Sequence, residues 1–292
     1  MTDRRKFIGG SDAPAILGLS PWKTPYQLYL EKRGELEGHG DSVDPDNDPM
    51  FWGKTLEPII RQRYADKTGK RIVVPSAPII HPQHGWMGGS LDGVTDDQRV
   101  FEAKNTRVLG EWGEPETDAI PEMYLVQVQH YLAVTQFSVA DVAVLIGGND
   151  FRIYHIEADI ELQALIIERE AAFWSRVQNG DPPPPLTYSD MQKRYGKAST
   201  AIVVQASPEA VEAVNRIKQL KEIQEQEETL KAFVMGEMGE ADTLSAGDKI
   251  LATWKAAKAA KRFDQKAFEA DHPELYAQYC KDGNPTRRLL IK

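Results

Sequence analysis

Asp92, Glu102 and Lys104 are the residues of this chain whose types and spacing point to chemistry. Paired carboxylates hold a hard divalent cation, and an ammonium beside them steadies a charged phosphate or its attacking water; phosphodiester hydrolysis needs both. All three fall in the stretch GGSLDGVTDDQRVFEAK, Gly88 to Lys104. It predicts a β-hairpin: a first strand ending at a turn around Asp92 and Gly93, a polar connection through Asp96 and Asp97, and a second strand from Arg99 to Lys104. Alternation along that second strand puts Glu102 and Lys104 on one face and Phe101 and Ala103 on the other. The residues alone leave a second reading open, because Asp-Gly is ordinary turn chemistry and Glu-x-Lys is common on a solvated strand edge.

Elements on either side must position this hairpin. Residues 4 to 18, RRKFIGGSDAPAILG, predict a short helix capped by Ser11 or Asp12, with Pro14 in its first turn and Gly18 closing it. With Arg4, Arg5 and Lys6 just upstream, that helix start reads either as a plain cap or as an anion site. A second helix is predicted from Thr24 to Lys32, with Tyr26, Leu28, Tyr29 and Leu30 available to a core. Gly38 to Pro49 is acidic and turn-rich and predicts a mobile loop that lacks the ligand spacing of a calcium-binding loop. A helix from about Met50 to Thr68 gathers Trp52, Leu56, Ile59, Ile60 and Tyr64 near one face. Glu57 neighbours that stripe, where a carboxylate drawn toward the core needs a cation or a partner. Arg71 to Pro75 and Ala77 to His81 read as one strand or a broken one.

After the hairpin the spacing predicts a loop from Asn105 to Ala119, then a helix from Pro121 to Val134 with Gln127 and Tyr131 one turn apart on the same face. Strands Ala140 to Ile146 and Phe151 to Ile156 follow, joined by the turn sequence Gly147-Gly148-Asn149-Asp150. A helix from about Asp159 to Gln178 completes the unit, and this element order predicts an α/β core with a mixed central sheet flanked by helices. Pro182 to Pro185 is a stiff break, and Ser189 to Ala206 reads as a linker. Beyond it lies a long helix, Pro208 to Met238, whose stripe of Val211, Val214, Ile217, Leu220, Ile223, Leu230 and Phe233 is broken by Gln224 and Glu227. The tail from Asp242 predicts a strand Lys249 to Lys255, a helix Phe263 to Tyr279 and a closing strand Arg287 to Lys292. Its Lys255, Lys258, Lys261, Arg262, Lys266, Arg287, Arg288 and Lys292 form either a solvated face or a contact with DNA or a partner. We therefore expect a catalytic domain over residues 1–185, a linker and long helix over 186–240, and a small basic module over 241–292.

Composition narrows the classes further. A net charge of −9 and a pI near 5.3 argue against a protein that coats nucleic acid non-specifically. Its one cysteine, Cys280, excludes an internal disulfide and a cysteine-ligated zinc or iron–sulfur site within one chain. No apolar run is long enough to span a bilayer, and MTDRRKFIGGSD lacks a secretory segment, so the cytoplasm is expected.

With these pieces in order, residues 4 to about 178 resemble the YqaJ viral recombinase and lambda exonuclease family, within the PD-(D/E)XK nuclease superfamily. The resemblance is carried by Arg4 and Gly10-Ser11, Trp52-Gly53-Lys54 followed by Glu57, Ser90-Leu91-Asp92-Gly93, Glu102-Ala103-Lys104, and Gln127-Val-Gln-His-Tyr131. Leu91 departs from the proline that the superfamily often has before the aspartate, which alters the rigidity of the turn more than its chemistry. The region after residue 186 also looks like the helical and small α+β extension of some YqaJ-type proteins.

The resemblance implies a restriction-endonuclease-like core and a set of roles. Asp92 and Glu102 would bind metal with the carbonyl of Ala103, and Glu57 would complete the metal site. Lys104 would position and activate the attacking water, either as a charged group or shifted toward its neutral form. Gln127 and Tyr131 match a QxxxY motif, and Arg4, Ser11 and Ser90 match positions that hold a terminal 5′-phosphate. An all-oxygen donor set favours Mg²⁺ or Mn²⁺, with two ions able to clamp the entering and leaving oxygens. The implied activity is a 5′→3′ exonuclease that degrades one strand of linear double-stranded DNA, leaving 3′ single strands for an annealing protein of the RecT/Redβ type. A ring of three subunits would retain the DNA despite the acidic charge. The alternatives are an endonuclease of the same superfamily and a non-catalytic module that binds DNA ends or a partner.

Overall fold

Strands Val100–Thr106 and Val139–Ile146 bury side chains on both of their faces and lie side by side within a five-stranded sheet. The structure, a computed structural model, describes residues 3–35, 48–196, 203–257, 263–280 and 287–292. Its chain divides into two compact units, Met1–Met191 and Gln192–Lys292. Among the described residues no helix is long and apolar enough to cross a membrane.

The first unit opens with a 3₁₀ turn, Arg4–Lys6, and helices α1 (Ala13–Ile16), α2 (Pro25–Arg33) and α3 (Asp48–Thr68). Strands β1 (Ile72–Val73), β2 (Ile79–Ile80), β3 (Gly88–Gly89), β4 (Gly93–Thr95) and β5 (Val100–Thr106) follow. Helix α4 (Glu122–Thr135), strands β6 (Val139–Ile146) and β7 (Asp150–Glu157), and helix α5 (Ile160–Asn179) follow, and the division at Met191 falls within helix α6 (Tyr188–Tyr195). Five strands form one sheet in the order β1-β4-β5-β6-β7, while β2 and β3 pair separately. Only β5 and β6 run parallel, as the helical crossover through α4 requires; the other neighbours in that sheet are antiparallel.

Period-two alternation then sorts the side chains. Val100, Val142 and Val144 face α4 and pack with Val128 and Leu132, whereas Phe101, Ala143 and Ile153 face α3 and pack with Ile60 and Tyr64. Glu102 and Lys104 lie in phase with Val100 and so point toward α4. Also in phase with Phe101 is Asp141, which is 0% exposed. It accepts hydrogen bonds from the Tyr64 hydroxyl, from Arg99 at 3.0 Å and from Lys70 at 3.3 Å, and it pairs with His155 at 2.6 Å. Burial works to raise its carboxyl pKa, but these donors hold it below the ordinary range.

Several expectations are corrected. The strand before Asp92 does not run into the hairpin: β3 pairs with β2, Leu91 is buried, and the hairpin proper is β4–β5, turning at Thr95 to Arg99 rather than at Asp92. Thr95 closes that turn through its hydroxyl and Asp97. Trp52 and Ile59 of α3 are half exposed, because only Leu56, Ile60 and Tyr64 fall on the stripe that meets the sheet. Asp12 precedes α1 without capping it and instead accepts from Gly9 N–H at 2.9 Å. Residues Tyr188–Tyr195, read as linker, are helical; Asp190 is buried and accepts from Leu186 and Thr187 N–H and the Thr24 hydroxyl. Most of the Gly38 to Pro49 loop lies outside the described residues.

The second unit holds α7 (Pro208–Met238), capped by the Ser207 hydroxyl, which accepts from Ala210 N–H. Strands β8 (Thr243–Ala246) and β9 (Lys249–Thr253) form a hairpin, so Lys249 to Thr253 has a local partner that the sequence reading did not name. Phe263 to Tyr279 is two helices, α8 (Gln265–Asp271) and α9 (Pro273–Tyr279), because Pro273 supplies no N–H to continue the first. Residues 287–292 are not a strand. Lys258, Lys261 and Arg262 of the basic tail lie outside the described residues.

Candidate active site

Gln127 organises the centre of the site. It projects from α4 toward β5, where its amide nitrogen donates to Glu102 Oε1 at 2.8 Å and to the Tyr131 hydroxyl oxygen at 3.2 Å. Its carbonyl oxygen accepts from Lys104 Nζ at 3.1 Å, and Lys104 also donates to Glu102 Oε1 at 2.6 Å. The amide orientation is thereby set, carbonyl to ammonium and NH₂ to carboxylate. Tyr124, one turn before Gln127, presents its ring 4.7 Å from Lys104 Nζ and stacks in turn on buried Trp112. Withdrawal from water works against the Lys104 charge, yet the Glu102 carboxylate more than offsets it and raises the lysine pKa. Lys104 is therefore an ammonium in this environment.

The acids around it are less comfortable. Glu102 is 3% exposed, and its Oε2 is buried with no hydrogen-bond partner. Burial, reinforced by the charge of Asp92, pushes its pKa up to about 7 despite Lys104. Asp92 lies just before β4 and accepts from Ala103 N–H at 2.9 Å; burial raises its pKa as well. Glu57, from α3, is raised by burial and by the charge of Asp92, offset by Arg61. Arg61 bonds Glu57 one turn away and donates to the Asp92 carbonyl at 2.9 Å, so it clips α3 to the residue that precedes β4.

These residues fit a cation, though not a closed cage. Among the described residues no three His, Cys, Asp or Glu side chains are gathered as a ready metal cluster. Glu57 is turned to Arg61, and one oxygen of Asp92 is taken by Ala103. What remains is a partnerless carboxylate oxygen on Glu102 beside carboxylates whose mutual repulsion already favours taking up positive charge. A few anionic oxygens, with water and substrate phosphate completing the shell, is the donor set Mg²⁺ and Mn²⁺ accept.

A second group lies on the other side of Tyr131. Arg4 donates to the Ser11 hydroxyl at 3.0 Å. The Tyr131 ring is pressed between two backbone segments: a Cβ at Gly10 would come within 2.4 Å of it and one at Gly89 within 2.7 Å, so neither position has room for a side chain. Burial holds the Tyr131 pKa well above that of a free phenol, leaving it protonated. Ser90 is exposed on the connection between β3 and β4. Glu102, Lys104, Gln127 and Tyr131 are thus one hydrogen-bonded cluster, with Asp92 and Glu57 coupled to it by charge, and the charge of Arg4, which bonds Ser11, is felt at Tyr131.

Sequence reasoning passed over Arg61, whose i+4 spacing from Glu57 was a readable signal. It also passed over His130, one residue from Tyr131, for which nothing in the sequence signalled a partner. His130 is fully buried, with Nδ1 2.7 Å from Glu170 and Nε2 2.8 Å from the Gly88 carbonyl.

Comparison with known proteins adds the lineage. Residues 1–138 match the YqaJ-like viral recombinase domain. Over 306 aligned residues the chain is 33% identical to the uncharacterized protein YqaJ of Bacillus subtilis (strain 168), covering 100% of this chain and 93% of that protein. Among solved structures, the alkaline exonuclease LHK-Exo from Laribacter hongkongensis superposes with a TM-score of 0.49 at 21% identity, over 61% of this chain and 91% of that one. A phage related exonuclease from Haemophilus somnus 129PT gives 0.45 at 14% identity, over 59% and 94% respectively. Identity of this extent along the whole chain, with the domain match at its beginning, makes the protein a member of the YqaJ-like viral recombinase family.

Proposed function

We propose that the protein is a metal-dependent 5′→3′ exonuclease that degrades one strand of linear double-stranded DNA. The observation that carries this reading is the Glu102 carboxylate: one oxygen fixed by Lys104 and Gln127, the other buried, partnerless and beside Asp92. Asp92, Glu102 and the Ala103 carbonyl would hold Mg²⁺ or Mn²⁺, with Glu57 released from Arg61 to join them, and two ions are expected. Such an ion supplies Lewis-acid stabilisation of charge on the phosphate and eases deprotonation of water.

The chain's own residues do the rest. Lys104 remains cationic and offers a proton-bearing group at the edge of the carboxylate pair, where it orients the attacking water or steadies the phosphate. Gln127 prevents Glu102 from swinging away. Arg4 and Ser11, with Ser90, take the terminal 5′-phosphate, and Tyr131 remains a phenol able to donate between the two groups. The family's recombinase character supports a product of 3′ single strands passed to an annealing protein. A homotrimeric ring in the cytoplasm suits an acidic protein that must stay on DNA without a strongly basic surface.

The test is to incubate linear and covalently closed circular duplex with Mg²⁺ or with EDTA. Nucleotides should leave the linear molecule only, and only with the metal. Cutting of the closed circle would replace the exonuclease with an endonuclease, and an intact linear duplex at every metal concentration would exclude both.

A further inference from the structure

Four charged side chains lie in the interior beside the candidate site without belonging to it: Asp12 (3% exposed), Lys32 (6%), His130 (0%) and Glu170 (0%). Lys32, on α2, uses all three of its N–H groups. It donates to the carbonyls of Arg4 at 2.8 Å and Phe7 at 2.7 Å and pairs with Asp12 at 2.6 Å. The same Asp12 oxygen accepts from Gly9 N–H. Every one of those backbone atoms belongs to the segment that carries Arg4 and Ser11.

The second pair acts on the segment that ends in Ser90. His130 joins Glu170 of α5 to the Gly88 carbonyl, and one proton is held between the histidine and the glutamate. The two segments are in turn bonded to each other, Ile8 N–H to the Trp86 carbonyl at 2.7 Å and Gly88 N–H to the Ile8 carbonyl at 2.9 Å. Between Gly10 and Gly89 the Tyr131 ring fills the remaining gap. Ion pairs buried this deeply contribute little net stability compared with apolar packing, and Glu170 keeps an oxygen with no partner. Their common property is that every bond to the main chain falls on residues 4–9 or on Gly88.

We infer that Asp12, Lys32, His130 and Glu170 are positioning residues that hold the Arg4–Ser11 and Gly88–Ser90 segments in register to receive a terminal phosphate. This rests on the proposed reading of Arg4, Ser11 and Ser90 as the phosphate-binding residues. The four residues do not touch the phosphate. They set the spacing of those that do, so their loss is felt in discrimination between DNA ends and not in hydrolysis as such.

The test uses the double variant Asp12→Asn/Lys32→Met, which removes both charges together and strands neither. Binding of fluorescent duplexes with 5′-phosphate or 5′-hydroxyl ends is measured by anisotropy in EDTA, where no hydrolysis intervenes. Wild-type protein should prefer the phosphate by about tenfold or more, the equivalent of one charge-assisted hydrogen bond. The variant should lose that preference while binding hydroxyl ends within twofold of wild type. If it does not fold, as judged by its thermal transition, His130→Gln/Glu170→Gln takes its place with the same expectation. A folded variant that keeps the wild-type preference overturns the inference and leaves the proposed nuclease untouched. Equal weakening on both ends also overturns it, since that is general damage. A wild type indifferent to the phosphate removes the inference together with the phosphate roles of Arg4, Ser11 and Ser90, and digestion of linear duplex then decides whether the nuclease reading survives.

Discussion

Glu102→Gln is expected to lower hydrolysis of linear duplex by about a thousandfold or more and to leave the protein folded. Gln has the same shape and can still accept from Lys104, so the strand and the α4 contact persist, while the negative charge at the partnerless oxygen is gone. Removing a single preorganised electrostatic group from a reaction centre costs about 10²–10³ in rate, and Glu102 serves both as anchor of Lys104 and as proposed metal ligand. A second signature comes from its acidity. The folded-state pKa of Glu102 is raised from 4.5 to about 7. The stability this group contributes is fully present below its unfolded value and is lost as pH rises through the folded one. The shift corresponds to roughly 3 kcal/mol at most, so wild type should lose thermal stability between pH 4.5 and pH 7 by more than the variant does. Nucleotide release and melting curves across that window check both parts; a folded Glu102→Gln protein that digests DNA at the wild-type rate would sink the assignment.

Asp141→Ala is expected to cost about 3 kcal/mol of stability in the first unit. Removing the carboxylate leaves the buried Tyr64 hydroxyl and one arm of Arg99 without their acceptor. The loss falls at the low end for a broken buried pair because Asp97 still holds Lys70 and Arg99. Asp141 has a lowered pKa, so its contribution is present above the unfolded carboxylate value and disappears as pH falls through the folded one. Urea unfolding at pH 7 and at a pH well below the unfolded carboxylate value of 3.8 measures both, with the wild-type advantage shrinking at the lower pH. An Asp141→Ala protein as stable as wild type at pH 7 would mean that Asp97 alone suffices. Together the two substitutions separate a carboxylate that strains the fold from one that holds it.

What could be read from the sequence followed from local pattern. The turn Gly147-Gly148-Asn149-Asp150 predicted the β6–β7 hairpin, and alternation along Arg99 to Lys104 put Glu102 and Lys104 on one face, where Gln127 of α4 now meets them. Long-range pairing was not legible. Nothing local says that Gly88–Gly89 pairs with Ile79–Ile80 while Gly93–Thr95 pairs with Val100–Phe101, so Asp92 was read as the turn of a hairpin when it precedes one. The helix Tyr188–Tyr195 was missed because it is short and polar, and its buried Asp190 is bonded by Thr24 from far along the chain. The same limit hid the partners of His130 and Lys32, because Glu170 and Asp12 lie far from them along the chain.

The cluster of carboxylates and ammonium is proposed to remove nucleotides from 5′ ends with the help of a divalent metal. The most direct measurement is a time course on linear duplex carrying a label at one 5′ end, run with Mg²⁺ and with EDTA. The expected result is early release of the 5′ label in short products with Mg²⁺, and none in EDTA. A label that stays on long fragments while the opposite strand end shortens, or release that proceeds equally in EDTA, would contradict it.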